Sequence, residues 1–374
     1  MLLVFETWPW LFLLTALLFG LLVGSFLNVV IYRIPVMMHR AWDAQFEEWQ
    51  AERDAQVDAT AASAQSDAVA ASDTNALDSG TLTGSESVAD PLVVAERVVA
   101  VSDTSGPAED TGEDELSAGI AESDVSDVSD PNAAEPQEPV FNLAQPASTC
   151  PHCGHKIRAH ENIPVLSYLF LRGKCANCKT PISWRYPFVE ALTGVLTLLV
   201  AWRFGPGAEA LAGIVLTWFL VALSGIDIDH QLLPDNMTLP LIWIGLTLSL
   251  FNVPDATILF GSPQSAIVGG LAGYLSLWTV FHLFRIATGK HGMGHGDFKL
   301  LAALGAWLGW QALPLIVVLS AALGSVYGIA MIVAGRQQQG ATMPFGPWLA
   351  AAGWLFLMFG ETLNAWYFGM MGLS

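Results

Sequence analysis

Charge is scarce in this chain. Only 13% of its 374 residues are Asp, Glu, Lys or Arg, and most of the acids sit in one place. Residues 43–140 hold 24 of the 34 acids but only two of the 15 bases, Arg53 and Arg97, so this segment alone carries −22. The rest has ten acids against thirteen bases and is close to neutral. The net charge of −19 is therefore a property of one insert. No basic patch with interleaved aromatics occurs, which argues against a nucleic-acid partner. No glycine-rich dinucleotide fingerprint follows an apolar strand pattern. No basic stretch precedes the first apolar run, as a cleaved signal peptide would require. Cysteine is rare too: there are four, gathered within 29 residues. That is too few and too clustered for a disulfide framework, and it points to a metal site in a reducing compartment.

What remains is apolar. The chain is 53% hydrophobic with positive mean hydropathy, and long apolar runs alternate with short polar loops. The pattern predicts an all-α polytopic membrane protein. A first span is expected at 9–32, with Trp8 and Trp10 at its interface. Ser25 and Asn28 share one face of it and can hydrogen-bond to neighbouring helices. Seven more spans are expected near 186–203, 210–226, 237–253, 264–286, 298–312, 314–334 and 346–367, about eight transmembrane helices in all. Four regions follow: a first transmembrane helix (1–32), a cytoplasmic loop with the acidic insert (33–145), a four-cysteine module (146–185) and a seven-helix membrane domain (186–374). The insert is rich in Ala, Asp, Glu and Ser, and is expected to be largely disordered, with at most a short amphipathic helix over 42–54.

With the amino terminus outside, the inner loops are 33–185, 227–236, 287–297 and 335–345. Only Arg203 of the 15 Lys and Arg then falls clearly outside, which satisfies the positive-inside rule. Both termini lie outside and the cysteines face the cytoplasm.

The cysteines form two pairs, Cys150-Pro-His-Cys153 and Cys175-Ala-Asn-Cys178. Two such knuckles supply four thiolates to one tetrahedral Zn²⁺, with a closed shell and hence a structural role. His152, His155 and His160 are nearby donors that a complete sulfur set makes unnecessary. Thiol redox chemistry is the other use of such pairs.

Two acidic motifs fall on the inner side. One is Gly225-Ile226-Asp227-Ile228-Asp229-His230-Gln231-Leu232-Leu233-Pro234-Asp235. The other is Gly294-His295-Gly296-Asp297-Phe298-Lys299-Leu300. Asp297 is the only carboxylate between Asp255 and Glu361. Acids at membrane helix ends are functional candidates. Two carboxylates brought together share a proton, so that one activates water while the other polarises a carbonyl. Simple helix capping by Asp297 or Asp235 and a proton-coupled transporter fit the residues as well.

These blocks, with Gly24-Ser25-Phe26-Leu27-Asn28 through Arg33 and with Arg172-Gly173-Lys174 and Pro181 through Pro187 flanking the second knuckle, resemble the type IV prepilin peptidases. This is a family of GxGD-type intramembrane aspartyl proteases of the bacterial inner membrane. The resemblance implies catalytic roles for Asp297 and Asp227, with Asp229 the second choice for the latter. It implies cleavage of prepilin and pseudopilin leaders on the cytoplasmic side. It further implies N-methylation of the new terminus from S-adenosylmethionine, for which Gly173 and Lys174 are weak candidate contacts. Lys299 is a candidate for tuning Asp297 or binding substrate. The two glycines before Asp297 suggest a tight backbone that can approach a partner closely, and a flexible approach towards Asp227. The insert of about 100 residues departs from the family pattern and leaves the blocks intact.

Overall fold

The computed structural model describes residues 7–76, 141–251, 253, 258–289, 294–336 and 343–370. The chain divides into two units, Met1–Gln45 with Pro139–Ser374, and Phe46–Glu138. In the second unit the described residues are helical, and the rest of the acidic insert, 77–140, lies outside the described residues.

Among the described residues the chain forms no strand longer than an isolated bridge, and it is organised as helices. Helix α1 runs Pro9–Ala76 and does not stop at Tyr32. The expected disorder therefore does not hold for 43–76. No Gly or Pro occurs between Pro35 and Gly80, and Ala is the commonest residue of that stretch, so little interrupts the intrahelical ladder. Local pairs add to it: Phe46 stacks on Trp49 at 5.9 Å, and Arg53 lies 4.8 Å over the Trp49 ring.

A short helix α2 (Leu166–Phe170) lies in the cysteine module. Seven helices follow: α3 (Arg185–Phe204), α4 (Ala208–His230), α5 (Asp235–Leu248), α6 (Pro263–Thr288), α7 (His295–Leu308), α8 (Leu313–Val333) and α9 (Gly346–Met370). Their starts and stops follow local chemistry. Ser262 caps α6 by accepting the Ser265 N–H, with Pro263 at the first position. Gly289 ends α6 in the left-handed conformation at φ 69°.

Among the described residues five helices are long and apolar enough to cross a bilayer, within Pro9–Thr60, Arg185–Phe204, Ala208–His230, Pro263–Thr288 and Trp310–Val333. The fold is thus that of an all-α, multi-pass membrane protein. Helices α5 and α7 have 14 residues each, about 21 Å at 1.5 Å per residue, against a hydrocarbon core of about 30 Å.

Helix α7 is the interior element. Residues 300–308 are all buried, together with Asp297 and Phe298. It packs most extensively on α6, then on α5 and α9. Small residues permit the α6 contact: a Cβ on Gly305 would meet the Gly269 carbonyl oxygen at 2.2 Å, and one on Gly273 would meet the Leu301 carbonyl oxygen at 2.6 Å. Gly269 and Gly273 form the small-xxx-small stripe that lets membrane helices approach backbone to backbone. Against α5, Trp307 donates its indole N–H to the Leu241 carbonyl at 2.7 Å and covers Gly245. At the other side, Gly24 of α1 packs on the Glu190 backbone of α3, and Asn28 donates to the Tyr186 carbonyl at 3.1 Å.

Because backbone atoms cannot yield as a flexible side chain does, Gly305→Val forces α6 and α7 apart and costs about 1–3 kcal/mol or more. Gly270→Ala, whose new Cβ would find its nearest neighbour at 3.8 Å, leaves stability within about 0.5 kcal/mol. Thermal unfolding of the two variants in the same detergent checks this contrast.

Candidate active site and metal cluster

Helix α4 ends one turn after Asp227. Gln231 adopts a left-handed conformation at φ 51° and returns its N–H to the Asp227 carbonyl at 2.9 Å. The chain then passes through Leu232, Leu233 and Pro234 into α5. Asp227 and Asp229 are two residues apart, so they leave the helix roughly 200° from one another. Their environments differ accordingly. Asp227 is buried, and its Oδ2 accepts the Gly346 N–H at 2.9 Å, at the amino-terminal end of α9. Asp229 faces outward and pairs with Arg185 at the start of α3.

Asp297 sits in the first turn of α7, whose N-cap position is Gly294. Its carboxylate is buried, reaches back to the Gly294 backbone and lies within electrostatic reach of Asp227. Capping is therefore not the position it occupies, although it contributes to the amino-terminal turn from the third helical residue. Lys299, two residues on, pairs with the exposed Asp235. Of the four acids in the two motifs, two are exposed and ion-paired. The other two are buried, near each other, and have no cationic partner among the described residues.

Leu233 holds this arrangement. A Cβ on Gly296 would meet Leu233 Cβ at 2.6 Å, and one on Gly346 would lie 3.3 Å from Leu233 Cδ1. Gly294 and Gly296 both have ordinary backbone angles, with no left-handed conformation at either position. The value of Gly296 is close packing, which brings α7 against the α4–α5 turn. Gly346 has the same constraint, since its Cβ would lie 2.7 Å from Asp227 Oδ2. Gly346, Leu233 and Arg185 escaped the sequence reading as site residues. The available signal for Gly346 was Pro344-Phe345-Gly346-Pro347, a glycine at a proline-marked helix start.

The four-cysteine module consists of two equivalent turns offset by 25 residues. Thr149 bridges Lys156 and Lys174 bridges Pro181. Gly154 donates to the Cys150 carbonyl at 2.9 Å, and Lys179 donates to the Cys175 carbonyl at 3.1 Å. Both donors have positive φ, 66° and 62°. This shape turns two backbones so that Cys150, Cys153, Cys175 and Cys178 converge, with all four Sγ atoms within 4.8 Å of one another. A tetrahedron with bonds of about 2.3 Å has edges of about 3.8 Å. The Cys150–Cys178 sulfur separation is 3.8 Å, and none of the four is in a disulfide. The Thr180 hydroxyl, 3.2 Å from Cys178 Sγ, holds that thiol down to about 6 from 9.0. The donor set fits a soft or borderline divalent metal. His155 is engaged with Glu161 at 3.1 Å, outside this set. The His152 side chain is exposed, and that of His160 lies outside the described residues.

Gly173 is a turn residue at φ 67°. Its N–H donates to the Tyr168 carbonyl at 2.8 Å, and its carbonyl accepts the Ile182 N–H at 2.7 Å. Lys174 is exposed beside it.

The metal reading has a direct check. The full-length chain is expected to carry one divalent metal ion, and Cys150→Ser with Cys153→Ser is expected to lose it. Elemental analysis of both proteins measures this, and unchanged metal content in the double variant rejects the four-thiolate site.

Two family models match consecutive stretches of the chain. The Bacterial Peptidase A24 N-terminal domain covers residues 18–204, and the Type IV leader peptidase family covers residues 214–329. Curated relatives match along nearly the whole chain. A prepilin leader peptidase/N-methyltransferase of Stutzerimonas stutzeri is 42% identical over 96% of this chain and 94% of its own. That of Aeromonas hydrophila is 40% identical over the same shares, and that of Pseudomonas aeruginosa is 40% identical over 98% and 97%. No solved structure matches. The matches run along nearly the full length of this chain and of these relatives, and the chain belongs to the type IV leader peptidase family.

Proposed function

We propose that this chain is an aspartyl endopeptidase of the bacterial inner membrane. It removes the leaders of type IV prepilins and type II secretion pseudopilins, and then N-methylates the exposed terminus. The observation that carries the catalytic assignment is the sorting of four motif acids into two ion-paired exposed groups and two buried carboxylates brought together.

Asp227 and Asp297 act as the dyad. Two carboxylates in one desolvated site hold a proton between them and titrate as a pair. The ionised member takes a proton from a water while the protonated member hydrogen-bonds the scissile carbonyl oxygen. As the tetrahedral centre collapses, the proton taken from water passes to the leaving amine. The Gly346 N–H fixes one oxygen of Asp227, leaving the other to work. The Arg185 and Lys299 pairs hold the ends of α3, α4, α5 and α7 in register around the site.

The chain crosses the membrane eight times, α5, α7 and α9 adding to the five long apolar helices, with both termini outside and the dyad at the cytoplasmic face. The distribution of cations supports this orientation. The one clearly outer cation, Arg203, is engaged with Glu361 at 3.2 Å and with the Met358 carbonyl, near the far ends of α3 and α9. In this reading the cytoplasmic module of 146–185 holds a structural Zn²⁺ through Cys150, Cys153, Cys175 and Cys178, which ties the two turns together. S-adenosylmethionine is the methyl donor. Of the two candidate contacts in sequence, the Gly173 backbone is already hydrogen-bonded within the module, which leaves the Lys174 ammonium to meet the donor's carboxylate. The acidic insert remains a solvated cytoplasmic segment, with a charge felt by basic leaders only within about 8–10 Å at physiological salt.

Leader removal from a prepilin in membranes tests the dyad. Asp227→Asn and Asp297→Asn each lower cleavage by at least about 100-fold, whereas Asp229→Asn stays within a few-fold of wild type. Full cleavage by either of the first two variants would sink that residue's role. Gly346→Ala displaces the Asp227 carboxylate and lowers kcat by about 10- to 100-fold with a smaller change in KM, read from initial rates.

A further inference from the structure

The cysteine module carries an apolar edge for which peptide cleavage has no use. Helix α2 has no buried residue. Leu169 is 64% exposed and Phe170 is 84% exposed, and Ile163 and Leu166 extend the same surface. Trp184, 70% exposed, stands immediately before the membrane helix α3. An aqueous surface does not favour such a patch.

Two helices give its depth. Val165, the residue before α2, donates its N–H to Glu190 Oε2 at 2.8 Å. Glu190 lies five residues inside α3, about 7.5 Å past its start. The Glu190 backbone in turn packs against Gly24 of α1. Gly24 lies nine residues before Arg33, the first cation of the chain, or about 13 Å into the apolar run. Asn28, bonded to the Tyr186 carbonyl, fixes the same register a second time. The start of α2 is therefore level with the apolar part of α1, on the membrane side of Arg33.

The connection is held there at some cost. Val165 has φ 57° and ψ −44°, a conformation rare for a β-branched residue. The Leu166 N–H closes the turn onto the Pro164 carbonyl. Tyr168 alone of α2 turns to the second knuckle, against Gly173, and the chain leaves the patch through Arg172 and Lys174, both exposed.

We propose that α2 is an interfacial anchor. Its Leu166–Phe170 edge inserts at the headgroup–acyl boundary of the bilayer, Trp184 at the start of α3 lies on the headgroup side of it, and Arg172 meets lipid phosphates. Continuity with the α3 membrane span makes lipid the occupant. Amphipathic segments with aromatic and aliphatic residues beside cations bind this boundary.

The test uses the full-length chain in nanodiscs of phosphatidylethanolamine and phosphatidylglycerol. The lipid carries a photoactivatable diazirine on the acyl chain near the glycerol, and adducts are mapped by mass spectrometry. Adducts on 166–170 are expected within about threefold of those on Trp184, while His152 and Asn177 at the knuckle tips stay unlabelled. Hydroxyl-radical footprinting from the water side is expected to spare Phe170. Oxidation of Phe170 without lipid adducts would overturn the proposal by leaving the edge in water. Protection from both reagents would overturn it by showing that protein covers the edge, either a second copy or a substrate. Glu190→Ala is expected to lower the adduct yield on 166–170 at least threefold, and Glu190→Gln, which keeps an acceptor for Val165, to preserve it. Unchanged labelling in folded Glu190→Ala would overturn the depth assignment.

Discussion

Burial of two carboxylates near each other, away from any cation among the described residues, is the constraint on which the rest of this structure depends. An unpaired buried charge is costly, and two near one another are more so. The fold answers with backbone. Asp227 accepts from the first residue of α9, and Asp297 lies in the first turn of α7 beside the Gly294 backbone. Both helix amino termini supply N–H groups that have no intrahelical partner. Cationic compensation is directed elsewhere, with Arg185 on Asp229 and Lys299 on Asp235. A cation on either buried acid would fix it as a carboxylate, and the shared proton that the proposed chemistry needs would be lost.

Holding the two helix ends together requires close backbone packing, and small residues provide it. Gly269, Gly273 and Gly305 bring α6 onto α7, Gly296 admits Leu233, and Gly346 admits the Asp227 carboxylate. In a bilayer there is little hydrophobic drive between helices, so this shape complementarity decides where α7 sits. Helix α7 is short because it is interior: its buried length serves packing on α5, α6 and α9 more than contact with lipid.

The amino-terminal module rests on the membrane helices through a few polar contacts. Arg33 donates to the Asn142 and Pro146 carbonyls at 2.8 and 2.6 Å, Asn28 to Tyr186, and Glu190 accepts from Val165. Arg33, Asn28 and Glu190 are polar groups placed where a lipid-facing helix would not tolerate them, and each finds a backbone partner. The four-cysteine cluster then brings the two equivalent turns of the module together.

Much of this was legible in the residues. Apolar run length gives the helices after Arg185 to within a few positions, because a membrane helix must satisfy its backbone internally and its side chains must be apolar. Cysteine spacing gives the four-sulfur cluster, because a two-residue gap in a tight turn places both thiols on one side. The motif order gives the family, and the acids at Asp227 and Asp297 stand out because carboxylates are rare in such surroundings. Local reading underestimated α1, whose polar extension to Ala76 follows from propensity and the absence of breakers. The resemblance favoured Asp227 over Asp229, but only the tertiary structure gave them different surroundings, turning them to opposite faces of α4 with Asp227 on Gly346 and Asp229 on Arg185. It alone placed Gly346, 119 residues away, against a carboxylate, and brought α7 to the end of α4. Sequence carries the periodicity and chemistry of each segment, but partners distant along the chain are chosen by packing, which depends on all the segments together.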